Sequence, residues 1–174
     1  PLPQAAREEG RHLVFPREAL AELGERLYPR TAYGVLNGGS ATSYVDLKKN
    51  QALGPGVFQA LAPGFEALVP HCRDRSKGLT PAFVNPDSSP GPSFLMLKAR
   101  ARLLAARSYI ARYGRPKGDF LPLFQMSSVG NDEELRRAYA SWGDSPFLAP
   151  LARETGLEAA NFSTGVQPLI SAYT

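Results

Sequence analysis

The chain has 174 residues, 43% of them hydrophobic and 21% charged, a balance that suits one soluble globular domain with a sizeable core and excludes a disordered or fibrous chain. Twenty basic against 16 acidic residues give a formal charge of +4 and a pI near 9.4, which suits anionic small ligands and falls short of a dense nucleic-acid surface. The single cysteine, Cys72, excludes an internal disulfide and a cysteine-rich zinc cluster, and with no apolar run of about 18 residues the expectation is a cytoplasmic address without a membrane.

In chain order, Leu20, Leu23 and Leu27 fall at helical spacing behind Pro16, so a helix is expected from Pro16 to Tyr28, stopped by Pro29. Ala32 to Leu36 reads as a strand. It runs into Asn37-Gly38-Gly39-Ser40-Ala41-Thr42-Ser43, a loop of small and hydroxylated residues whose N–H groups could cradle a phosphate, with the cations Lys48 and Lys49 following. Gly54, Pro55, Gly56, Pro63 and Gly64 predict irregular chain, or at most a short helical piece, over residues 54–64, and the proline-rich span Arg73 to Pro92 predicts an ordered loop.

From Ser93 to about Tyr113 a helix is expected, with Leu97, Ala101, Leu104 and Ser108 as its packed stripe. Lys98, Arg100, Arg102, Arg107 and Arg112 then read as a solvated face rather than a nucleic-acid patch, because no aromatic residues interleave with them. Phe120 to Ser128 reads as a buried parallel strand with Pro122 near its start, Asn131-Asp132-Glu133-Glu134 as a capped helix start, and Pro146 to Glu154 as a last short helix. This rhythm predicts an α/β fold with mostly parallel strands, and a ligand beyond their carboxyl ends at the point where strand order reverses. Asn37 to Ser43 and Ser127 to Asn131 would both lie there, as a site or as tight strand-to-helix turns.

Gly38-Gly39-Ser40-Ala41-Thr42 with Lys48 and Lys49 resembles the signature loop of the UDP-sugar pyrophosphorylases, the UTP–glucose-1-phosphate uridylyltransferases and UDP-N-acetylglucosamine pyrophosphorylases. Pro92-Ser93-Phe94-Leu95, Pro122-Leu123-Phe124-Gln125-Met126-Ser127-Ser128 and Gln167-Pro168 resemble three further landmarks of that family in the same order. The resemblance implies a three-layer, Rossmann-like nucleotidyltransferase domain of the glycosyltransferase-A type. On this reading residues 1–174 form one domain, the amino-terminal part, with the sugar-binding half absent and the piece alone inactive.

The resemblance also implies roles. Backbone amides from Gly38 to Thr42 would hold UTP, Lys48 or Lys49 would stabilise the α-phosphate and departing pyrophosphate, Met126 and Gln167 would line the uracil, and Ser127 and Ser128 would sit near the nucleotide. The reaction would be attack by a sugar-1-phosphate oxygen on the α-phosphorus of UTP, with Mg²⁺ assisting and without a side-chain nucleophile. No metal ligand is assigned: Asp46, Asp87 and Asp132 read as loop or capping residues before metal neighbours, and the isolated His12 and His71 receive no role. Ala41 stands where the family keeps a second glycine, which keeps a catalytically silent nucleotide-binding module in view, and the basic helix keeps an interaction domain in view.

Overall fold

The computed structural model describes residues 4, 7–39 and 54–168 of the chain. It opens with an antiparallel hairpin, β1 (Arg7–Glu9) and β2 (His12–Val14), turned at Gly10 with φ +61°. The sequence pattern had not suggested this hairpin, since strands of three residues are too short to show alternation. Helix α1 (Arg17–Leu27) begins after Pro16, as expected, and passes through a 3₁₀ turn at Tyr28–Arg30 into β3 (Tyr33–Leu36).

The glycine- and proline-rich segment departs from expectation: α2 runs unbroken from Pro55 to Cys72. Pro55 occupies the first turn, where its missing donor costs nothing, but Pro63 and Pro70 lie inside the helix. An apolar stripe, Phe58, Ala62, Phe65, Val69 and Cys72, runs along it at spacings of four, three, four and three, all at least half-buried. The following span is an ordered loop, closed by the bridges Pro81↔Ser93 and Val84↔Pro90.

Helix α3 (Phe94–Tyr113) starts at Ser93, whose Oγ accepts a hydrogen bond from the Met96 N–H at 3.2 Å. Its buried residues are Leu95, Ala99, Arg102, Leu103 and Ala106, not the expected stripe, of which Ala101 and Ser108 face solvent. Both sets have helical period, so pattern alone could not choose between them; packing against the sheet and α5 does. The solvated reading holds for Lys98, Arg107 and Arg112 and fails for Arg102, which is 4% exposed. Arg100 is half-buried, donating to the Phe147 carbonyl at 2.6 Å and lying 4.5 Å above that ring.

Strand β4 (Leu123–Ser128), helices α4 (Asp132–Ala140) and α5 (Ala149–Thr155), and β5 (Phe162–Gln167) complete the described fold, with a 3₁₀ turn at Trp142–Asp144 between the two helices. The sheet is parallel, in the order β3-β4-β5, with Tyr33 opposite Leu123 and Leu123 opposite Phe162. Leu95, Leu103, Leu135, Trp142, Leu148 and Leu151 form the main core, with Val35 and Phe162 reaching it from the sheet. A second cluster, Ala106, Phe120 and Leu121 with Tyr28 and Tyr109, closes the base. No helix among the described residues is long and apolar enough to cross a membrane.

One expectation changes here. The described strands stand in sequential order, β3-β4-β5, so they contain no reversal and the switch-point argument for a ligand site does not apply to them. Leu36 (83% exposed), Phe124 and Met126 alternate with the core-facing residues and stand exposed on the other face of the sheet.

Candidate functional site

The carboxyl ends of the three strands meet as one rim. β3 extends its ladder past Leu36, the Asn37 N–H donating to the Met126 carbonyl at 2.7 Å, and the chain then turns at Gly38. A Cβ at Gly38 would lie 3.7 Å from both the Gln167 Oε1 and the Ser128 Cβ, so the ends of β3, β4 and β5 approach to van der Waals distance at a residue that has no side chain. Val129 N–H donates to the Gln167 carbonyl at 3.1 Å and ties β4 to β5.

Asn131 joins the other pair of strand ends. It sits at the expected cap position of α4, but its side chain makes no cap bond. Its Oδ1 accepts from the Ser128 N–H at 2.9 Å and the Ser128 hydroxyl at 3.1 Å, and its Nδ2 donates to the Asn37 carbonyl at 2.7 Å. The side chain is 8% exposed and thus serves as a cross-strand stitch rather than a helix cap. Acidic residues still fill the first turn of α4, where the helix dipole favours them.

Each sequence-assigned site residue among the described ones lies at or beside this rim. Gly38, Gly39, Ser128 and Gln167 form it, and Met126 stands on the open face between Leu36 and Gly165. Ser127 is fully buried, and its hydroxyl donates to the Asp132 Oδ1 at 2.6 Å, so it supports the rim from beneath. Ser40, Ala41, Thr42, Lys48 and Lys49 lie outside the described residues, as does Asp46.

Against the rim opens a cavity of about 440 Å³, between the end of β3 and the start of α3. Val35, Leu36, Phe94 and Leu95 supply apolar wall, and Lys77 and Lys98 supply two cations. The Lys77 N–H donates to the Gly39 carbonyl at 3.0 Å and so fixes the turn after Gly38. Lys77 opens a 3₁₀ turn, Lys77–Leu79, which is itself anchored: Glu134 Oε2 accepts from the Ser76 N–H at 2.9 Å and its hydroxyl at 2.5 Å. The sequence offered no signal for Lys77, because a loop hydrogen bond with no periodicity places it.

Asn37 also lines the cavity and is 4% exposed. Its Nδ2 is the only buried side-chain nitrogen or oxygen among the described residues without a hydrogen-bond partner. Such a donor carries a desolvation cost of about 1–3 kcal/mol until an acceptor reaches it. Close by, burial pushes the Tyr139 hydroxyl up to about 12, so it stays a neutral donor, given to the Gln125 Oε1 at 2.5 Å.

The rim carboxylates are committed within the protein. Asp132 accepts from Ser127 and, at 2.6 Å, from the Arg136 Nε, and these two hydrogen bonds hold its carboxyl below the usual range. Asp87 accepts from the Ser89 N–H and hydroxyl in an exposed loop turn. Among the described residues no three histidine, cysteine, aspartate or glutamate side chains come together to share a metal ion. His12 is on the hairpin, and His71 lies in an exposed contact with the Ser88 carbonyl.

No protein-family model matches this chain, and no curated protein sequence matches it.

Proposed function

We propose that this chain is the nucleotide-binding part of a UTP:sugar-1-phosphate uridylyltransferase, similar to the UDP-sugar pyrophosphorylases. The observation that carries the reading is the meeting of Gly38, Ser128 and Gln167 at the carboxyl ends of adjacent parallel strands, which brings a backbone without a side chain, a hydroxyl and an amide to one rim. Gln167 has the paired donor and acceptor that a uracil edge requires. Gly38 leaves room for close approach, and Lys77 and Lys98 give the neighbouring cavity a positive wall suited to phosphate.

In the reaction, the loop from Gly38 to Thr42 would hold the triphosphate and Lys49, or its neighbour Lys48, would offset charge developing on the α-phosphate. A sugar-1-phosphate oxygen attacks the α-phosphorus, the bond to the bridging oxygen breaks, and pyrophosphate leaves. Mg²⁺, when bound with the nucleotide, supplies further neutralisation of phosphate charge, and no residue of this chain is assigned to it. Turnover on this reading needs the sugar-binding half that the family carries beyond its glutamine–proline segment.

The test is calorimetric titration of the chain with UTP, CTP and ATP in the presence of Mg²⁺. UTP is expected to bind best, and Gln167→Leu to erase the preference; equal affinity for all three, or no effect of Gln167→Leu on selectivity, overturns the uracil assignment. In an assay that supplies the sugar-binding half, Lys49→Ala is expected to depress turnover strongly, and a near-normal rate moves the role to Lys48. Selective binding with no turnover in that assay identifies the silent module. The exposed sheet face around Leu36, Phe124 and Met126 favours a second reading, an interaction domain, which absence of nucleotide binding would promote.

A further inference from the structure

At the opposite end of the sheet, about 17 Å away along β4, lies a second cavity of about 340 Å³ at the amino ends of β4 and β5. Its wall includes Arg102, Arg115, Asp119, Glu158, Asn161 and Ser163, a polar set unlike the apolar cavity at the rim. Arg102 reaches it from the middle of α3 and is 4% exposed, a guanidinium in the interior of the molecule. Its Nε donates to the Leu121 carbonyl at 2.8 Å and its Nη1 to the Glu158 carbonyl at 2.9 Å.

Arg115 is arranged the same way from the loop after α3. It donates to the Thr155 carbonyl at 2.5 Å and the Gly156 carbonyl at 3.0 Å, sealing the last turn of α5. Each guanidinium therefore spends two of its five N–H donors in these bonds and keeps three. Neither has a carboxylate within ion-pair distance among the described residues. Asp119 and Glu158 are exposed at the mouth, where water screens them.

Carbonyls satisfy hydrogen-bond geometry but not charge. A buried cation is costly unless it is paired, and burial accordingly pulls the Arg102 pKa down. The backbone here is also under tension: Leu121, wholly buried, has φ +51°, a conformation that an L side chain disfavours, and Arg102 holds its carbonyl in place. The site thus combines an uncompensated buried cation, a second guanidinium with donors to spare, two neutral polar side chains and an open volume at the lower end of the small-ligand range.

We propose that this cavity binds the oxyanion group of a small ligand, a phosphoryl or a carboxylate, between Arg102 and Arg115 with Asn161 and Ser163 at its side. The guanidinium fork matches either oxyanion in plane, offered by Arg102 from the buried side of the cavity and by Arg115 from its exposed side. The site is independent of the nucleotide reading, since it shares no residue with the rim.

The test compares thermal unfolding in inorganic phosphate, in malonate and in sodium chloride at matched ionic strength, alongside the NMR signal of the Arg102 Nε–H. Phosphate or malonate is expected to raise the melting temperature saturably, by about 3–6 °C at a tenfold excess over its dissociation constant, and to shift that signal. Which of the two acts at lower concentration distinguishes a phosphoryl from a carboxylate ligand. Ser163→Asp, an exposed position on the cavity wall, adds a partly screened counter-charge and is expected to weaken anion binding by about 1.5–5-fold. Arg115→Gln is expected to weaken it too, without touching the buried Arg102. Phosphate and malonate acting no differently from chloride, or an Arg102 signal that responds equally in wild type and Ser163→Asp, overturns the proposal.

Discussion

Replacing Asn131 tests whether the rim is held by a stitch or by a helix cap. In Asn131→Ala the Asn37 carbonyl and the Ser128 N–H lose their side-chain partner, together with one weaker bond to the Ser128 hydroxyl. An orphaned main-chain group costs about 1–3 kcal/mol, the lower end applying to half-buried Ser128 where water can enter, so the loss should be about 2–4 kcal/mol. Loss of an ordinary cap would cost only about 1 kcal/mol. Asn131→Asp separates the two accounts further. Aspartate caps a helix as well as asparagine, but it cannot donate to the Asn37 carbonyl and would set a carboxylate against it. A cap would leave Asn131→Asp at wild-type stability, whereas the stitch predicts a loss of about 1–3 kcal/mol. Urea unfolding followed by circular dichroism, with unchanged slope, reads both variants. For a chain of this size Asn131→Ala should also lower the melting temperature by about 5–15 °C. The reasoning is refuted by an Asn131→Asp protein as stable as wild type, or by an Asn131→Ala loss of 1 kcal/mol or less.

Gly78→Ala should destabilise by about 1–3 kcal/mol, because the new Cβ would stand 2.4 Å from the Asn37 Oδ1 and 2.8 Å from Leu95 atoms in a packed region. Gly34→Ala meets only the half-exposed Phe124 ring, which can swing aside, so denaturant midpoints should fall clearly less for Gly34→Ala than for Gly78→Ala. In acid, the depressed Asp132 pKa means that the native state releases this proton more readily than the unfolded chain. Its stabilisation is present above the unfolded value near 4 and is lost as pH falls through the folded value, and Ser127→Ala should flatten that part of the stability profile measured below pH 4. In alkali the sign reverses. Tyr139, raised to about 12, contributes stability fully present below pH 10 and lost between pH 10 and 12, a fall that Tyr139→Phe should reduce in unfolding measured across that range.

Local pattern made several elements legible. The leucine spacing behind Pro16, the Ser93 cap, the apolar run ending at Ser128 and the acids after Asn131 each marked an element to within a few residues, because hydrophobic period and terminal chemistry are properties of neighbours in sequence. The same reasoning put Gly38 and Ser128 at two strand ends, while Gln167 joined them only through the resemblance to the UDP-sugar pyrophosphorylases. It failed at α2, where prolines and glycines outweighed a weak apolar stripe, and on α3, where two stripes of equal period competed.

What the chain alone determined, then, is the place of α1, β3, α3, β4 and α4 and the small polar residues that end β3 and β4, since these follow from side chains a few positions apart. Tertiary structure decided the rest. Strand pairing across tens of residues set Leu36, Phe124 and Met126 on one exposed face of the sheet. Packing chose the Leu95–Leu103 face of α3 and carried Arg102 inside with it, to be met by the Leu121 and Glu158 carbonyls. Asn131 turned from its own helix to the end of β3 because the Asn37 carbonyl, 94 residues away in sequence, needs a donor there. Hydrogen-bond demand at long range leaves no periodic trace in a sequence, and only the folded chain shows where it is met.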